Sequence, residues 1–427
     1  MDIKAVILAA GKGTRMHSVS TPKVLHEIMG KTLLGYVLDN VKNFVSEEFV
    51  IVGHHAQDVE KFVKDNYDNA KTVLQSPQLG TGHAVSMVCP YLDNYEGLVL
   101  ILCGDTPLVK EETLKNFVEF HKSQNSDLTV MSTIFNNPTN YGRIIRESDN
   151  SLKCIVEEKD ATIEQKAVKE VNAGIYCLNW GKIKAAFGQL TSNNAQGEYY
   201  LTDIISWGKA QKLNVNAYIL ENSDEIYGIN SRLNLAQAAK MMNRRNLEKY
   251  MVEGVTIVDP DSTWISEDTQ IGQDTIIYPA TYIEGKNIIG KNCKIGPCAH
   301  FRGGVEVCDN VKVGNFVEVK KAKIFSNTNV GHLSYIGDAE LGENVNIGAG
   351  TITANYNPLT KTKSKTILKD NVKIGSNSVL VAPVTIEEGA NIGAGGIITK
   401  NVPSWALAIT RSPLKVLENW VKKQLSK

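Results

Sequence analysis

Gly11-Lys12-Gly13-Thr14 follows the apolar run Ala5–Ala10 and precedes two cations, Arg15 and Lys23. A glycine-rich turn at the end of a strand can aim several backbone N–H groups at one point, which suits phosphate. Taken alone, such a turn is equally a tight connection with no ligand. Arg15 and Lys23 shift that balance, because cations just downstream are what neutralising a triphosphate requires. Two common nucleotide loops are excluded. A dinucleotide fingerprint needs a third glycine where Met16 stands. The "GKT" at Gly30–Thr32 lacks the earlier glycine of a Walker loop, since Leu25 occupies its place.

The elements that must carry these residues fall into two rhythms. The chain has 427 residues, more than one core ordinarily organises, so two domains are expected. In the first half, "AVILAAG", "FVIVGH", "LVLILCGD" and "LTVMSTIF" read as buried strands, with helical spacing at 31–44 and 111–123. Strand–helix alternation predicts a mostly parallel sheet, which binds ligands beyond the carboxyl ends of its strands. Residues 231–252, free of Gly and Pro, predict a long helix ended by Gly254.

Beyond that helix, apolar residues recur every six positions: Ile265, Ile271, Ile277, Ile283, Ile289, Ile295, Phe301, Val307, Val313 and Val319. The register slips by one before Ile324, Val330 and Ile336, slips again to Leu341 and Ile347, and resumes at Leu368, Ile374, Leu380, Ile386, Ile392 and Ile398. Gly often follows the apolar residue. This period predicts a parallel β-helix with three hexads per coil, though the period does not give its hand. The lysine-rich interruption Thr353–Ile367 reads as an extruded loop. After Pro413, Leu414, Leu417 and Val421 mark one face of a short helix, read as a cap on the open coil end.

Composition narrows the partners. The 46 basic and 46 acidic residues balance, which argues against nucleic acid and anionic membrane. No apolar run reaches the roughly 20 residues of a membrane span. The start "MDIKAVILAAG" lacks signal-peptide features, and seven scattered cysteines fit reduced thiols, so a cytoplasmic location is expected. Cys293, Cys298 and Cys308 with His300 occupy different hexad positions and match no zinc template.

Combined, "LAAGKGTRM…PK", "LQ…QLGTGHA" and "CGDTPL" resemble sugar-1-phosphate nucleotidyltransferases. With "GNFVEVKKA", "GHLSYIGDAELGENVNIGAGTIT" and "LVAPV", essentially the whole chain resembles one bacterial family. Its bifunctional enzymes join an N-acetylglucosamine-1-phosphate uridyltransferase to a glucosamine-1-phosphate N-acetyltransferase. The resemblance implies a Rossmann-like α/β nucleotidyltransferase domain over 1–232, a linker helix over 233–253 and a left-handed β-helix acetyltransferase domain of hexapeptide repeats over 254–427. It implies UTP and acetyl-CoA as substrates, Mg2+ as cofactor, a homotrimer, and UDP-N-acetylglucosamine as product for peptidoglycan and lipopolysaccharide synthesis.

The roles that follow are those the resemblance implies. For uridylyl transfer, Leu8, Ala9, Ala10, Gly11 and Gly13 line the nucleotide, Arg15 and Lys23 steady its phosphates, and Gln75, Gly80 and Thr81 meet uracil. Asp105 and Asn230 hold the magnesium, a cation that prefers oxygen donors; the plain alternative for Asp105 is capping the segment before Pro107. Gly142, Glu157, Asn172 and Asn230 meet the sugar phosphate. For acetyl transfer, His332 is the base that deprotonates the amino sugar, a task suited to a pKa near neutrality. Glu318 orients it. Arg302, Lys320, Tyr335, Asn346 and Lys361 hold the sugar phosphate, with Lys363 and Lys365 as alternatives to Lys361 because the loop is longer here. Ala349 offers an N–H to the oxyanion, and Asn355, Tyr356, Ser376, Ala394 and Arg411 meet coenzyme A or substrate. The chain departs from the family at Cys103, where Tyr is frequent, at Ala173 for Thr, at Gly303 for Pro, and in a β-helix about one to two coils shorter before Arg302. Two other readings stay open: the same architecture with another sugar 1-phosphate or dTTP, and a non-catalytic nucleotide-sensing platform.

Overall fold

A computed structural model of the chain describes residues 2–410 and 413–426. The chain divides into two compact units, 1–241 and 242–427, and the division falls inside the helix Arg232–Val252.

The first unit is built on a nine-stranded sheet. Its main path runs Val215–Leu220, Leu128–Ile134, Glu170–Asn179, Leu98–Cys103, Ile3–Leu8, Glu47–Val52 and Ala70–Leu74, and the hairpin Arg143–Arg146/Leu152–Val156 attaches to Glu170–Asn179. The pairings are parallel except those made by Glu170–Asn179 and that hairpin, so the sheet is mixed. Successive residues of one strand enter opposite cores. Ala5 and Ile7 join one cluster with Val50, Val52, Leu100 and Leu102, whereas Val6 joins the other with Phe49, Ile51, Val99 and Ile101. Burial on both faces is why these strands read as unbroken apolar runs. Leu8 lies opposite both Ile51 and Cys103, and Val52 opposite Leu74. The turns that follow these strands therefore leave the sheet at one edge.

The second unit is a prism of three parallel sheets, each gaining one short strand per coil. Ile277 pairs with Ile295 and Ile295 with Val313, eighteen residues apart; Val313 pairs with Val330 and Val330 with Ile347, seventeen apart, which are the two slips of register. Ile347 then pairs with Ile374, and the added length is the extruded loop. The inward residues are buried, except that Ile271, in the first coil, is half-buried. Thr353 also points inward, and its hydroxyl accepts the Gly337 N–H at 2.8 Å. Side chains cover the unpaired edge of that first coil. Asn243 donates to Thr263 O and accepts the Ile265 N–H, Asn246 donates to Ile265 O, and the Tyr250 hydroxyl reaches Ser266 O and Thr269 O.

The structure corrects the reading of the tail. Leu414, Leu417 and Val421 are all exposed, so they do not cap the coil end. The helix there is short, Trp420–Leu425.

Close approach of the coils explains the glycines after the inward residues. A Cβ on Gly314 would lie 2.0 Å from Gly331 O, and one on Gly348 would lie 2.5 Å from Ser376 N. Gly331 is different, because its Cβ would meet nothing nearer than Asn329 Oδ1 at 3.7 Å. Gly314→Ala is therefore expected to cost about 3 kcal/mol or more in a denaturant titration, since a backbone clash cannot be relieved by rotating a side chain. Gly331→Ala, one coil on, should stay within about 1 kcal/mol of the parent. Equal losses at both positions would refute the steric account.

Candidate functional sites

In the first unit the strand Ile3–Leu8 delivers the glycine-rich turn to the common sheet edge. Ala9 and Ala10 are buried, tied by the Ala9 N–H to Ile51 O and by the His54 N–H to Ala10 O. The N–H groups of Gly11, Lys12 and Gly13 donate no hydrogen bond among the described residues. Gly13 has φ +59° and rests against Lys23, where a Cβ would come within 2.8 Å of the Lys23 Cβ. At Gly11 a Cβ would meet no protein atom within 4 Å, so the space over that residue is open to a ligand.

Three residues far apart in sequence converge beside this turn. Lys23 Nζ forms an ion pair with the Asp105 carboxylate and lies 3.4 Å from Asn230 Oδ1. Asp105 stands just past the strand Leu98–Cys103, and its carbonyl accepts the Ile229 N–H at 3.0 Å, which stitches the segment bearing Asn230 to it. A carboxylate and an amide oxygen sharing one cationic centre form a donor set that suits a hard divalent cation, with the lysine ammonium as its stand-in. Arg15 is exposed and makes no ion pair or hydrogen bond among the described residues.

The proposed uracil group is organised by a segment the sequence did not single out, 199–202. Gly80 has φ +115°, and a Cβ there would strike Tyr199 O at 2.6 Å. The Thr81 hydroxyl accepts the Leu201 N–H at 3.0 Å. Buried Gln75 donates to Gly80 O and lies 3.1 Å from His83 Nδ1.

The three proposed sugar-contacting residues also come together. The Asn172 N–H donates to Gly142 O at 2.9 Å, and a Cβ on Gly142 would sit 3.5 Å from both Glu157 carboxylate oxygens. The Thr202 hydroxyl donates to Glu157 at 3.3 Å, and burial raises the Glu157 carboxyl above its ordinary pKa. Asn172 Oδ1 accepts the Gly174 N–H. Cys103 lies against Gly174, and its thiol is pushed up to about 12 by burial, with the Asp105 charge adding to the effect. Such a thiol is neutral near pH 7 and is not a nucleophile.

In the second unit the rungs of the β-helix set the spacing. Glu318 pairs with His300 on one side and Tyr335 on the other. Arg302, one coil before Glu318, donates to its carboxylate at 2.9 Å and lies 3.8 Å from Glu284. His332 ends the strand Asn329–His332 and is exposed; its backbone carbonyl accepts the Ser334 hydroxyl. In the single chain Glu318 is therefore held by Arg302, and no hydrogen bond joins it to His332. Lys320 is half-buried two residues along the same strand as Glu318. Asn346 Oδ1 accepts from Asn329 Nδ2 at 3.3 Å. The Ala349 carbonyl accepts the Asn377 N–H, while the Ala349 N–H itself donates nothing among the described residues.

The extruded loop folds as a small hairpin pairing Tyr356–Asn357 with Thr362–Lys363. Asn355 donates to Asp338 and lies 3.5 Å from the Tyr335 hydroxyl. Lys363 lies 3.9 Å from Asp338 and Lys365 pairs with Glu340 at 2.7 Å. Lys361, exposed at the hairpin turn with φ +55°, has no such partner among the described residues. Tyr356, Ser376 and Ala394 are exposed, the last two on successive coils. Arg411 lies outside the described residues.

Comparison with known proteins agrees with this division. The family model described as "Nucleotidyl transferase" matches residues 4–241, and that described as "Bacterial transferase hexapeptide (six repeats)" matches 288–321 and 365–400. The chain is 44% identical to the "Bifunctional protein GlmU" of Clostridioides difficile, covering 100% of this chain and 99% of that relative. It is 45% identical to the protein of the same name from Caldanaerobacter subterraneus subsp. tengcongensis, again with 100% and 99% covered.

The pairing of Lys363 and Lys365 leaves Lys361 as the loop lysine available to an anionic ligand. Lys361→Ala is expected to raise the KM for the acceptor sugar phosphate about ten-fold in acetyl transfer, as the loss of one charge-assisted contact. Lys363→Ala and Lys365→Ala should each change it by about two-fold or less. A larger effect at either of those two than at Lys361 would reverse the assignment.

Proposed function

Since this chain belongs to the family of bifunctional GlmU proteins, we propose that its two units carry two successive transfers in the synthesis of UDP-N-acetylglucosamine. The second unit, a left-handed hexapeptide β-helix, moves an acetyl group from acetyl-CoA to the nitrogen of glucosamine 1-phosphate. The first unit moves a uridylyl group from UTP to the N-acetylglucosamine 1-phosphate so formed. The observation that carries this reading is the presence on one chain of both the Lys23–Asp105–Asn230 cluster beside a turn of free N–H groups and the Arg302–Glu318 rung near His332.

In uridylyl transfer a phosphate oxygen of the sugar attacks the α-phosphorus of UTP, and the bond to the β-phosphate oxygen breaks to release pyrophosphate. Both reactants are anions, so positioning and charge neutralisation supply most of the catalysis. The N–H groups of Gly11–Gly13 receive phosphate oxygens, with Lys23 and Arg15 supplying positive charge. Glu157 and Asn172 accept from and donate to the sugar. Asp105 and Asn230 would hold Mg2+, which when bound supplies electrostatic stabilisation of the phosphate oxygens. Lys23 leaves those two oxygens for the phosphates as the nucleotide enters.

In acetyl transfer His332 takes a proton from the substrate ammonium. The freed amine forms a bond to the thioester carbonyl carbon; as the carbon–sulfur bond breaks, the nitrogen gives up its second proton, which the departing thiolate takes up to leave as coenzyme A. Arg302, Lys320, Tyr335, Asn346 and Lys361 hold the phosphate, and the free Ala349 N–H points to oxyanion stabilisation. When the phosphate engages Arg302, Glu318 is released to orient His332.

We further propose a homotrimer in a reducing cytoplasm. The seven cysteines are all unpaired, and among the described residues no helix is long and apolar enough to cross a membrane. Phe316 and Leu333, on neighbouring coils beside His332, are 60% and 61% exposed, an apolar ridge that a second copy would cover. A stable, fully active monomer in sedimentation experiments would argue against this assembly.

Separate variants test the two sites. His332→Ala is expected to lower acetyl transfer by roughly 10²–10⁴-fold and leave uridylyl transfer within about two-fold, the usual consequence of losing a general base. Asp105→Ala should do the reverse. Loss of both reactions from either change, in a protein that remains folded, contradicts separate sites.

A further inference from the structure

We infer that Arg143 is a positioning residue for the sugar end of the uridylyl-transfer site, an inference that rests on the assignment of Gly142, Glu157 and Asn172 to that site. The Arg143 side chain is 2% exposed, yet it brings a permanent charge inside. Its guanidinium donates to Tyr141 O, to Glu158 Oε2 at 2.6 Å and to Lys166 O at 3.5 Å, while Nε has no partner. Desolvating a cation costs several kcal/mol, and one pair with an unused N–H does not offset that well. Such a group is a poor stabiliser, but it is a good specifier of geometry.

The groups it specifies lie next to the proposed sugar contacts. Tyr141 immediately precedes Gly142, and Glu158 immediately follows Glu157. Arg143 itself is the register partner of Val156 and of Val171, the residue before Asn172. The planar fork therefore ties two segments that carry proposed sugar contacts, Tyr141–Gly142 and Glu157–Glu158, while the third, Val171–Asn172, is joined to Arg143 through the backbone register. The fork has fixed angles, so its partners cannot shift independently. The fit is also tight, because the Asn172 N–H reaches Gly142 O and the Gly142 Cα faces the Glu157 carboxylate. Arg143 makes no hydrogen bond or ion pair to Lys23, Asp105 or Asn230 among the described residues, so its direct contacts lie among the segments that carry Gly142 and Glu157.

Arg143→Lys keeps the charge and removes the fork. The expected result is a rise of about ten-fold or more in the KM for N-acetylglucosamine 1-phosphate, with the KM for UTP and the rate of acetyl transfer within about two-fold of the parent. Glu158→Gln, which keeps the shape and removes the charge, should raise the same KM by a smaller factor. An unchanged sugar KM in folded Arg143→Lys overturns the inference. So does a parallel loss across sugar, UTP and thermal stability, which would make Arg143 merely structural. If Arg143→Lys does not fold, Glu158→Gln decides alone, a selective rise supporting the role and no selective rise refuting it. A parent protein without uridylyl transfer would instead contradict the site assignment.

Discussion

The rungs of the β-helix are joined by N–H groups that donate one coil ahead, as from Lys294 to Val311 O at 2.9 Å, Glu318 to Ser334 O at 2.9 Å and Tyr335 to Thr351 O at 3.0 Å. Parallel strands cannot close such bonds with themselves, so each coil depends on the next. The glycines at Gly314, Gly348 and Gly375 follow from the same constraint, since the backbones approach too closely for a Cβ. So do Asn243, Asn246 and Tyr250, whose side chains complete the edge that has no preceding coil. The constraint also places the chemistry. Residues one coil apart stand a strand spacing apart, about 4.8 Å, which lets Arg302 reach Glu318 with Tyr335 on the next rung.

Parallel pairing plays the same part in the first unit. Alignment of Leu8 with Ile51 and Cys103 brings the glycine turn, Gly53 and Asp105 to one edge. Once there, electrostatics decides the arrangement. Lys23 satisfies the oxygens of Asp105 and Asn230, a placement that keeps two acceptors and a cation from facing one another unpaired. The same oxygens suit a divalent cation, which is why the proposed function has Asp105 and Asn230 hold one and Lys23 serve the phosphates.

Much of this was legible in the sequence because the decisive constraints repeat or sit in compact motifs. The six-residue period located nearly all inward positions from Ile265 to Ile398, and even the two seventeen-residue coils appeared as slips at Ile324 and Leu341. Lys23, Asp105 and Asn230, which the family resemblance singled out from three distant motifs, meet at one point in the fold. Choice of partner was not legible. That Glu318 binds Arg302, or that Lys363 and Lys365 pair with Asp338 and Glu340 while Lys361 does not, depends on side chains brought together by stacking rather than by local pattern. Thr202 and His83 escaped notice because a lone polar residue in a non-repeating segment carries no signal until its neighbours are known. The apolar tail was misjudged for a related reason: an amphipathic pattern reports that a face needs cover, not where the cover comes from.

The central claim is that one polypeptide builds a nucleotide sugar through two chemically distinct transfers. It is tested most directly by supplying the parent protein with glucosamine 1-phosphate, acetyl-CoA labelled in its acetyl group, UTP labelled at the α-phosphate, and magnesium. The account predicts a single final product that carries both labels, with one coenzyme A and one pyrophosphate released per molecule. A nucleotide sugar without the acetyl label, or an acetylated sugar phosphate that never acquires the nucleotide, would contradict it.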